Sequence, residues 1–507
     1  MEPQVSRNTM RYLIFVLLAY LKCNRAMSYE EKRTKIIELE AQVTLGGKTI
    51  LSENETLVNN CLMKHKFEEI DYGFKNPQYF NFSHHFFTYK DRIRESKVYK
   101  IIKAMPKGAV LHVHDTAMLG PDYMVNITYM DHLYVCFEKQ GMKVQFSLRT
   151  PNITCGVKWR LMSEARAAAD NVTKFDQEIR KKFTIVVDNP DVVYSNIQET
   201  WAALSKHFTA ARILMYKPVW EQHIYDALKM FRDDNVMYVE VRTGLRTLYA
   251  LDGTTYDKQT TAQVYRNAIN RFKKDYPDFF GAKIIFAPWR RYADTHTLNS
   301  YIYLARKVKS DMPDMFAGFD LVGQEDLGYP LIKFAPQLKE VHDLNFFFHA
   351  GETDWYGTAS DMNLIDAVLL GAKRIGHAYA LPKHPALMAA VKDRNIGLEV
   401  NVLSNAVLSL VKDIRNHPLS VLLANGMPVV LSSDDPGAWE ADGLSDDFYA
   451  AFVGVASRLS DLRLLKTLAL NSLEYSSLDG VDKQKAIRSF HSKWDEFING
   501  FDCNLYE

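Results

Sequence analysis

Short, almost unbroken apolar runs recur along the chain from residue 109 onward, separated by stretches of helical spacing. Eight occur: Ala109–His114, Val236–Arg242, Lys283–Ala287, Ala317–Val322, Asn345–His349, Lys373–His377, Ile396–Asn401 and Met427–Ser432. A strand with one wet face alternates apolar and polar residues, whereas a continuous apolar run marks a parallel strand covered on both faces. Eight such strands alternating with helices is the count of a closed (β/α)8, TIM-type barrel, an α/β fold. An open doubly wound sheet also alternates, but no Gly-rich dinucleotide fingerprint follows the first run. Helical segments over 461–477 and 483–498 come after the eighth run, where they would close and cap the barrel.

Two regions fall outside this rhythm. Residues 27–104 are charged and helix-prone, as in Tyr29–Gln42, with Phe and Tyr interspersed and no strand pattern. Residues 122–188 interrupt the chain after the first run, and a polar, cysteine-bearing interruption reads as a small domain inserted in a surface loop. The predicted organisation is a leader over 1–26, a helical region over 27–104, a barrel over 105–121 and 189–507, and an insert over 122–188.

In the leader, Arg7 and Arg11 precede an apolar run over Tyr12–Leu21, and small or polar residues follow to Ala26. Ten apolar residues are too few to cross a bilayer, which takes about 20. The order charged, apolar, small is that of a secretory signal, so a secreted, extracellular protein is expected. Asn-x-Ser/Thr acceptors at Asn54, Asn81, Asn126, Asn152 and Asn171 agree, since all lie before residue 175. Glycans need exposed surface, which makes the N-terminal third peripheral and the rest compact. Four cysteines follow the leader: Cys61, Cys136, Cys155 and Cys503. In an oxidising compartment Cys136 and Cys155 are the expected disulfide, and a loop of that size is stabilised by roughly 3 kcal/mol. The sequence does not place Cys61 and Cys503. The formal net charge of +1 gives no sign of a nucleic-acid or anionic-membrane partner.

The chemistry gathers where the strands end. The first run ends in His112-Val113-His114-Asp115, and residues two apart on a strand share a face, so both imidazoles reach one point. His349 ends the fifth run, with Glu352 three residues on; His377 ends the sixth; Asp434 and Asp435 follow the eighth. Alone, a buried His is an ordinary core residue and an Asp pair an ordinary helix cap. Four strand ends bringing four His and two Asp to one rim are not ordinary. His and carboxylate ligands suit Zn2+. No H-x-E with P-C-x-x-C is present, so the cytidine-deaminase type of zinc site is excluded.

These motifs, H-V-H-D, G-F-D-L-V-G, F-F-H-A-G-E-T-D-W, R-I-G-H and S-S-D-D-P, closely resemble those of the adenosine deaminase family. Over its whole length the chain is similar to the extracellular adenosine deaminase growth factor (adenosine deaminase 2-like) branch. The resemblance implies one zinc per chain, held by His112, His114, His349 and Asp434. It implies Glu352 as proton donor and His377 as the base that orients the attacking hydroxide. Asp115, Trp201, Gly323 and Asp435 would contact the nucleoside, and Trp289 faces the same pocket. The implied reaction is deamination of adenosine and 2′-deoxyadenosine to inosine or its deoxy form and ammonia. The helical region would be a dimerisation module giving a homodimer, and the insert a receptor-binding module with a cell-surface receptor or proteoglycan as partner.

The chain departs from the family pattern at Trp289 and Gln324, where relatives carry His, at Ala378 for Gly, and at Asn401-Val402 for Cys-Pro. None of these is a ligand or acid–base position. Two other readings remain: a receptor-binding growth factor with a vestigial site, and a nucleotide deaminase. The latter needs a basic cluster at the rim, for which Arg290 and Arg291 are the candidates.

Overall fold

The computed structural model describes residues 27–506 apart from 139, 140 and 293, and the expected signal peptide lies outside them. Among these residues eight parallel strands close into a barrel. β1 (Gly108–His114), β2 (Val236–Thr243), β3 (Ala282–Phe286) and β4 (Phe316–Phe319) form one run of four. β5 (His349–Ala350), β6 (Arg374–His377), β7 (Gly397–Val400) and β8 (Val429–Leu431) form the other. Single parallel bridges join the runs, Phe319 to Phe346 on one side and Val113 to Asp434 on the other. At the second seam His114 N–H donates to Asp434 O and Asp434 N–H to His112 O, at 2.9 and 3.0 Å. Each apolar run holds one strand. The fifth ladder is shorter than its run, partly because the Asp320 side chain, rather than a strand carbonyl, takes the His349 N–H at 2.9 Å.

The barrel interior carries charge that an apolar run does not announce. Arg242 donates to Asp320 at 2.8 Å and to Glu399 at 2.6 Å; Arg374 donates to Glu399 and Glu240, both at 2.6 Å. All five side chains are buried, and such charges are tolerable inside only when paired and hydrogen-bonded. Burial alone would raise the Glu399 carboxyl; Arg242 and Arg374 outweigh it and hold it well below the carboxylate range. The helix Leu462–Glu474 covers the seam between β8 and β1. Its Ser472 Oγ accepts the Ala109 N–H at 2.7 Å, and its Asn471 Nδ2 donates to Val429 O at 2.9 Å.

The N-terminal region divides in two. α1 (Tyr29–Val43) starts on a capping box formed by Ser28 and Glu31 but buries no residue. α2 (Glu53–Lys75) and α3 (Lys97–Ala104) are built into the body. Glu55 of α2, itself buried, accepts from Lys466 Nζ at 2.6 Å and Trp494 Nε1 at 2.8 Å, and a Cys61–Cys503 disulfide ties α2 to the C-terminal tail. Of this region, which falls outside the strand rhythm, α1 is the helix that buries nothing, while α2 and α3 belong to the body.

Between β1 and β2 lies an antiparallel pair, Leu133–Glu138 with Gly141–Phe146, joined by the short strand Arg160–Leu161 and stapled by Cys136–Cys155. Arg180 pairs with Asp122 inside this insert at 2.7 Å and fastens it to the barrel through Glu440 at 2.9 Å. Asn54, Asn126, Asn152 and Asn171 are exposed and Asn81 is half-buried.

Candidate active site

β1 delivers His112 to the barrel axis, fully buried, and His114 to the rim, 18 % exposed. Val113 between them packs the other way into the core. β5 and β6 bring in His349 and His377, and the turn after β8 brings Asp434 and Asp435. His377, Ala378 and Asp434 all take left-handed backbone, with φ of 62°, 48° and 59°. Such conformations in side-chain-bearing residues cost of order 1–3 kcal/mol each and are tolerated where they aim functional groups. Gly376 allows the close packing of the cluster, since a Cβ there would lie 3.0 Å from His112 Cε1.

The result is a converging set of metal-ligating atoms. Ligand atoms of His112, His349, His377 and Asp434 all lie within 4.8 Å of one another. Asp434 Oδ1 is 3.1 Å from His114 Nε2 and 3.4 Å from His112 Nε2. Two ligands of one tetrahedral zinc, each about 2.1 Å from it, lie about 3.4 Å apart. His112 Nδ1 bonds Glu399 Oε2 at 2.8 Å, leaving Nε2 buried with no hydrogen-bond partner. His349 Nδ1 bonds Asp320 Oδ2 at 2.6 Å. A carboxylate behind each imidazole fixes the tautomer that offers its other nitrogen to a metal. Burial pushes His349 down to about 3 and His377 well below its ordinary value, so both stay neutral and keep a lone pair. The donor set therefore fits a zinc ion.

The hydrogen-bond network assigns the tautomer of His377. Leu419 N–H donates to His417 Nδ1 at 3.0 Å, so the neutral His417 carries its proton on Nε2 and donates to Asn405 Oδ1 at 3.0 Å. The Asn405 amide is thereby turned to donate from Nδ2 to His377 Nδ1 at 3.2 Å. His377 then presents an Nε2–H, 3.8 Å from Asp434 Oδ2.

One cavity of about 200 Å3 opens above the cluster. His114, Asp115, Trp201, Trp289, Gly323, His349, Glu352, His377, Asp434 and Asp435 all line it; His112 lies beneath. Burial, then the Asp434 and Glu325 charges, push the Glu352 carboxyl well above its ordinary value, which favours its protonated form. Burial and Asp434 do the same to Asp435, whose Oδ1 is buried and unpartnered. Asp115 Oδ2 accepts from Tyr265 at 2.9 Å. The helix Ile197–Ala210 places Trp201, Leu204 and Phe208 over the mouth. Trp289 stands edge-on to Phe208 with ring centroids 6.5 Å apart, and a Cβ on Gly323, whose φ is 103°, would meet the Trp289 ring at 3.0 Å.

Sequence reasoning missed the groups behind the cluster: Glu399, Asp320, Ser404, which donates to Asp434 Oδ2 at 2.6 Å, and Asn405. Glu399 in β7 and Ser404 and Asn405 in the helix Val402–Val407 carry no motif of their own, whereas Asp320 follows β4 inside G-F-D-L-V-G, a motif in which sequence reasoning singles out only Gly323. It also missed Arg246 and Lys258 on the cavity wall. Arg290 is not a surface phosphate ligand. It is fully buried and donates to Leu321 O and His349 O at 2.7 and 2.6 Å.

Residues 177–493 match the family model described as adenosine deaminase, and residues 11–102 match the adenosine/AMP deaminase N-terminal model. The chain is 41% identical over 472 residues to an adenosine deaminase of Aedes albopictus, covering 92% of this chain and 87% of that protein. To adenosine deaminase 2 of Homo sapiens it is 38% identical over 497 residues, covering 96% and 97%. Among solved structures it resembles the N6-methyl-AMP deaminase of Arabidopsis thaliana, with a TM-score of 0.57 at 17% identity over 78% of this chain and 99% of that one. A zinc-bound amidohydrolase from a Burkholderia species matches with a TM-score of 0.55 at 16% identity, over 80% and 94%. At such identities these two speak for the fold alone. The full-length relatives and the family match carry the assignment: the chain belongs to the adenosine deaminase family, in its adenosine deaminase 2-like branch.

Proposed function

We propose that the protein is a secreted, zinc-dependent deaminase that converts adenosine, and 2′-deoxyadenosine, to the inosine form and ammonia. The observation that carries this reading is the cluster itself, in which three imidazoles and one carboxylate converge beneath a cavity that also contains the buried Glu352. His112, His114, His349 and Asp434 would hold one Zn2+. When bound, such an ion acts as a Lewis acid that lowers the pKa of water from 15.7 to about 7.

The chain's own residues supply the rest. Glu352 holds a proton that it can give to N1 of the purine, without which C6 is a poor electrophile. His377 orients the attacking oxygen through Nε2–H. With Nδ1 already accepting from Asn405, its role is that of a donor, which revises the base role implied by the family pattern. Asp435 binds the purine edge through its free Oδ1. Asp115, Trp201, Trp289 and Gly323 frame the rest of the nucleoside, with Trp289 offering an aromatic face where relatives offer an imidazole.

Around this barrel we assign residues 1–26 to a cleaved signal peptide, 27–104 to a region that pairs two copies of the chain, and 122–188 to an insert that meets a cell-surface receptor or proteoglycan. The sequons and the two disulfides support an extracellular setting, and growth-factor activity would accompany deamination. Among the described residues no helix is long and apolar enough to cross a membrane. The deciding experiment follows adenosine absorbance on adding purified protein, with and without chelator, alongside elemental analysis. About one zinc per chain and chelator-sensitive turnover are expected, with both lost in His349→Ala. An active protein that lacks zinc, or a His349→Ala protein that retains it, refutes the assignment.

A further inference from the structure

Glu352 stands on a loop, two residues past the end of a two-residue strand, and among the described residues its carboxyl has no near partner except His377 Nδ1 at 3.5 Å. Something must fix it, because a proton donor displaced by an ångström loses most of its effect. Glu325, from the loop after β4, is 2 % exposed and lies directly behind it. Its Oε1 accepts the Glu352 N–H at 2.9 Å. Its Oε2 accepts the Gly351 N–H at 3.2 Å and Asn363 Nδ2 at 2.6 Å, and pairs with Arg290 Nη1 at 3.3 Å. Asn363 is held in turn by the Leu331 N–H at 2.7 Å, and Arg290 by the carbonyls of His349 and Leu321.

We propose that Glu325, locked by Arg290 and Asn363, is a positioning residue that sets the Glu352 carboxyl for proton transfer. The inference rests on the proton-donor reading of Glu352. Three N–H groups donate to Glu325 and use both of its oxygens, and the Arg290 guanidinium adds an ion pair at 3.3 Å. Only a carboxylate meets that demand: a glutamine amide has one accepting oxygen and would turn N–H toward at least one donor. A buried carboxylate is costly to keep, and this one spans three elements, the end of β3, the loop after β4 and the helix Ala359–Leu369, at the point where they meet the segment carrying both His349 and Glu352.

The test compares Glu325→Gln, Glu352→Gln and the double variant in the full-length, zinc-loaded protein. Outer partners of catalytic groups typically contribute about 10–100-fold. Glu325→Gln is therefore expected to lower kcat for adenosine by that factor, with KM changed less than about twofold and zinc content unchanged. A residue that acts through Glu352 has nothing left to position once Glu352 is an amide, so the double variant should be no more than about twofold slower than Glu352→Gln. Losses that multiply, or a Glu325→Gln protein with normal kcat beside an impaired Glu352→Gln, would overturn the proposal. A Glu352→Gln protein of near-normal rate would instead overturn the donor reading. If Glu325→Gln does not fold, Asn363→Leu removes one donor and leaves the carboxylate. It should give a smaller fall in kcat that likewise vanishes in the Glu352→Gln background, and a fall that persists there is evidence against the proposal.

Discussion

At the mouth of the barrel Glu352, His377, Asp434 and Asp435 are buried, and His112, His349, His377 and Asp434 are each held from behind by a hydrogen bond. On α1, by contrast, Tyr29, Ile36, Ile37 and Val43 are all more than two-fifths exposed and no residue is buried. The mouth is assembled from strand ends far apart in sequence, so its geometry belongs to the whole barrel and single side chains there decide chemistry. α1 depends on local capping and on whatever covers its apolar side. The insert lies between these extremes, holding its small sheet with a staple that spans 19 residues and docking on the barrel through the pair of Arg180 with Glu440. Pre-organisation is concentrated where charge must be handled.

The sharpest way to break that contrast is at Glu352. Positioned acid–base groups contribute about 10²–10⁴-fold, so Glu352→Gln should keep zinc and fold while losing turnover in that range, as read by steady-state kinetics and elemental analysis. A variant within tenfold of the native rate would place the proton donor elsewhere.

A second test opens the staple. Cys136→Ser with Cys155→Ser should weaken the insert by roughly 3 kcal/mol, seen as faster hydrogen exchange over 133–146. Adenosine turnover by the barrel should stay within about twofold. A parallel loss of activity would show that insert and mouth are one cooperative unit.

Removing residues 27–43 should convert the proposed dimer to a folded, active monomer by light scattering, because α1 buries no residue in the body. A dimer that survives the truncation would move the pairing surface to α2, α3 or the barrel.

The smallest effect is expected at Trp289. A ribose hydroxyl that loses its partner on burial costs roughly 1–3 kcal/mol, so Trp289→His should raise the preference for adenosine over 2′-deoxyadenosine. Equal kcat/KM ratios in the two proteins would mean that Trp289 only packs against Phe208 and Gly323.

The barrel was legible because its strands are continuous apolar runs, and the site was legible because His112, His114, His349, His377 and Asp434 all stand at the ends of such runs. What the sequence hid was the partner of each group. Glu399 sits in the middle of G-L-E-V and Asp320 within G-F-D-L, looking like isolated charges in apolar strands; only closure of the ring brings them against His112 and His349. Arg290 looked like a surface cation because it follows Trp289 at a strand end, yet the chain turns it inward onto three carbonyl or carboxylate partners. Cys61 and Cys503 could not be paired by reading, since their proximity follows from α2 lying across the C-terminal helices, a contact with no local signature.

That last bond joins positions 442 residues apart, so almost the whole described chain forms a single covalent ring. A protease that cuts once within the ring, in an exposed turn such as the one around Gly253 or Gly357, opens it without releasing a piece. The nicked protein would migrate as one species until reduced and then part into two. For an enzyme proposed to work outside the cell, where cleavage cannot be repaired by new synthesis on site, such a closure keeps the strand ends that build the mouth tethered after the first cut.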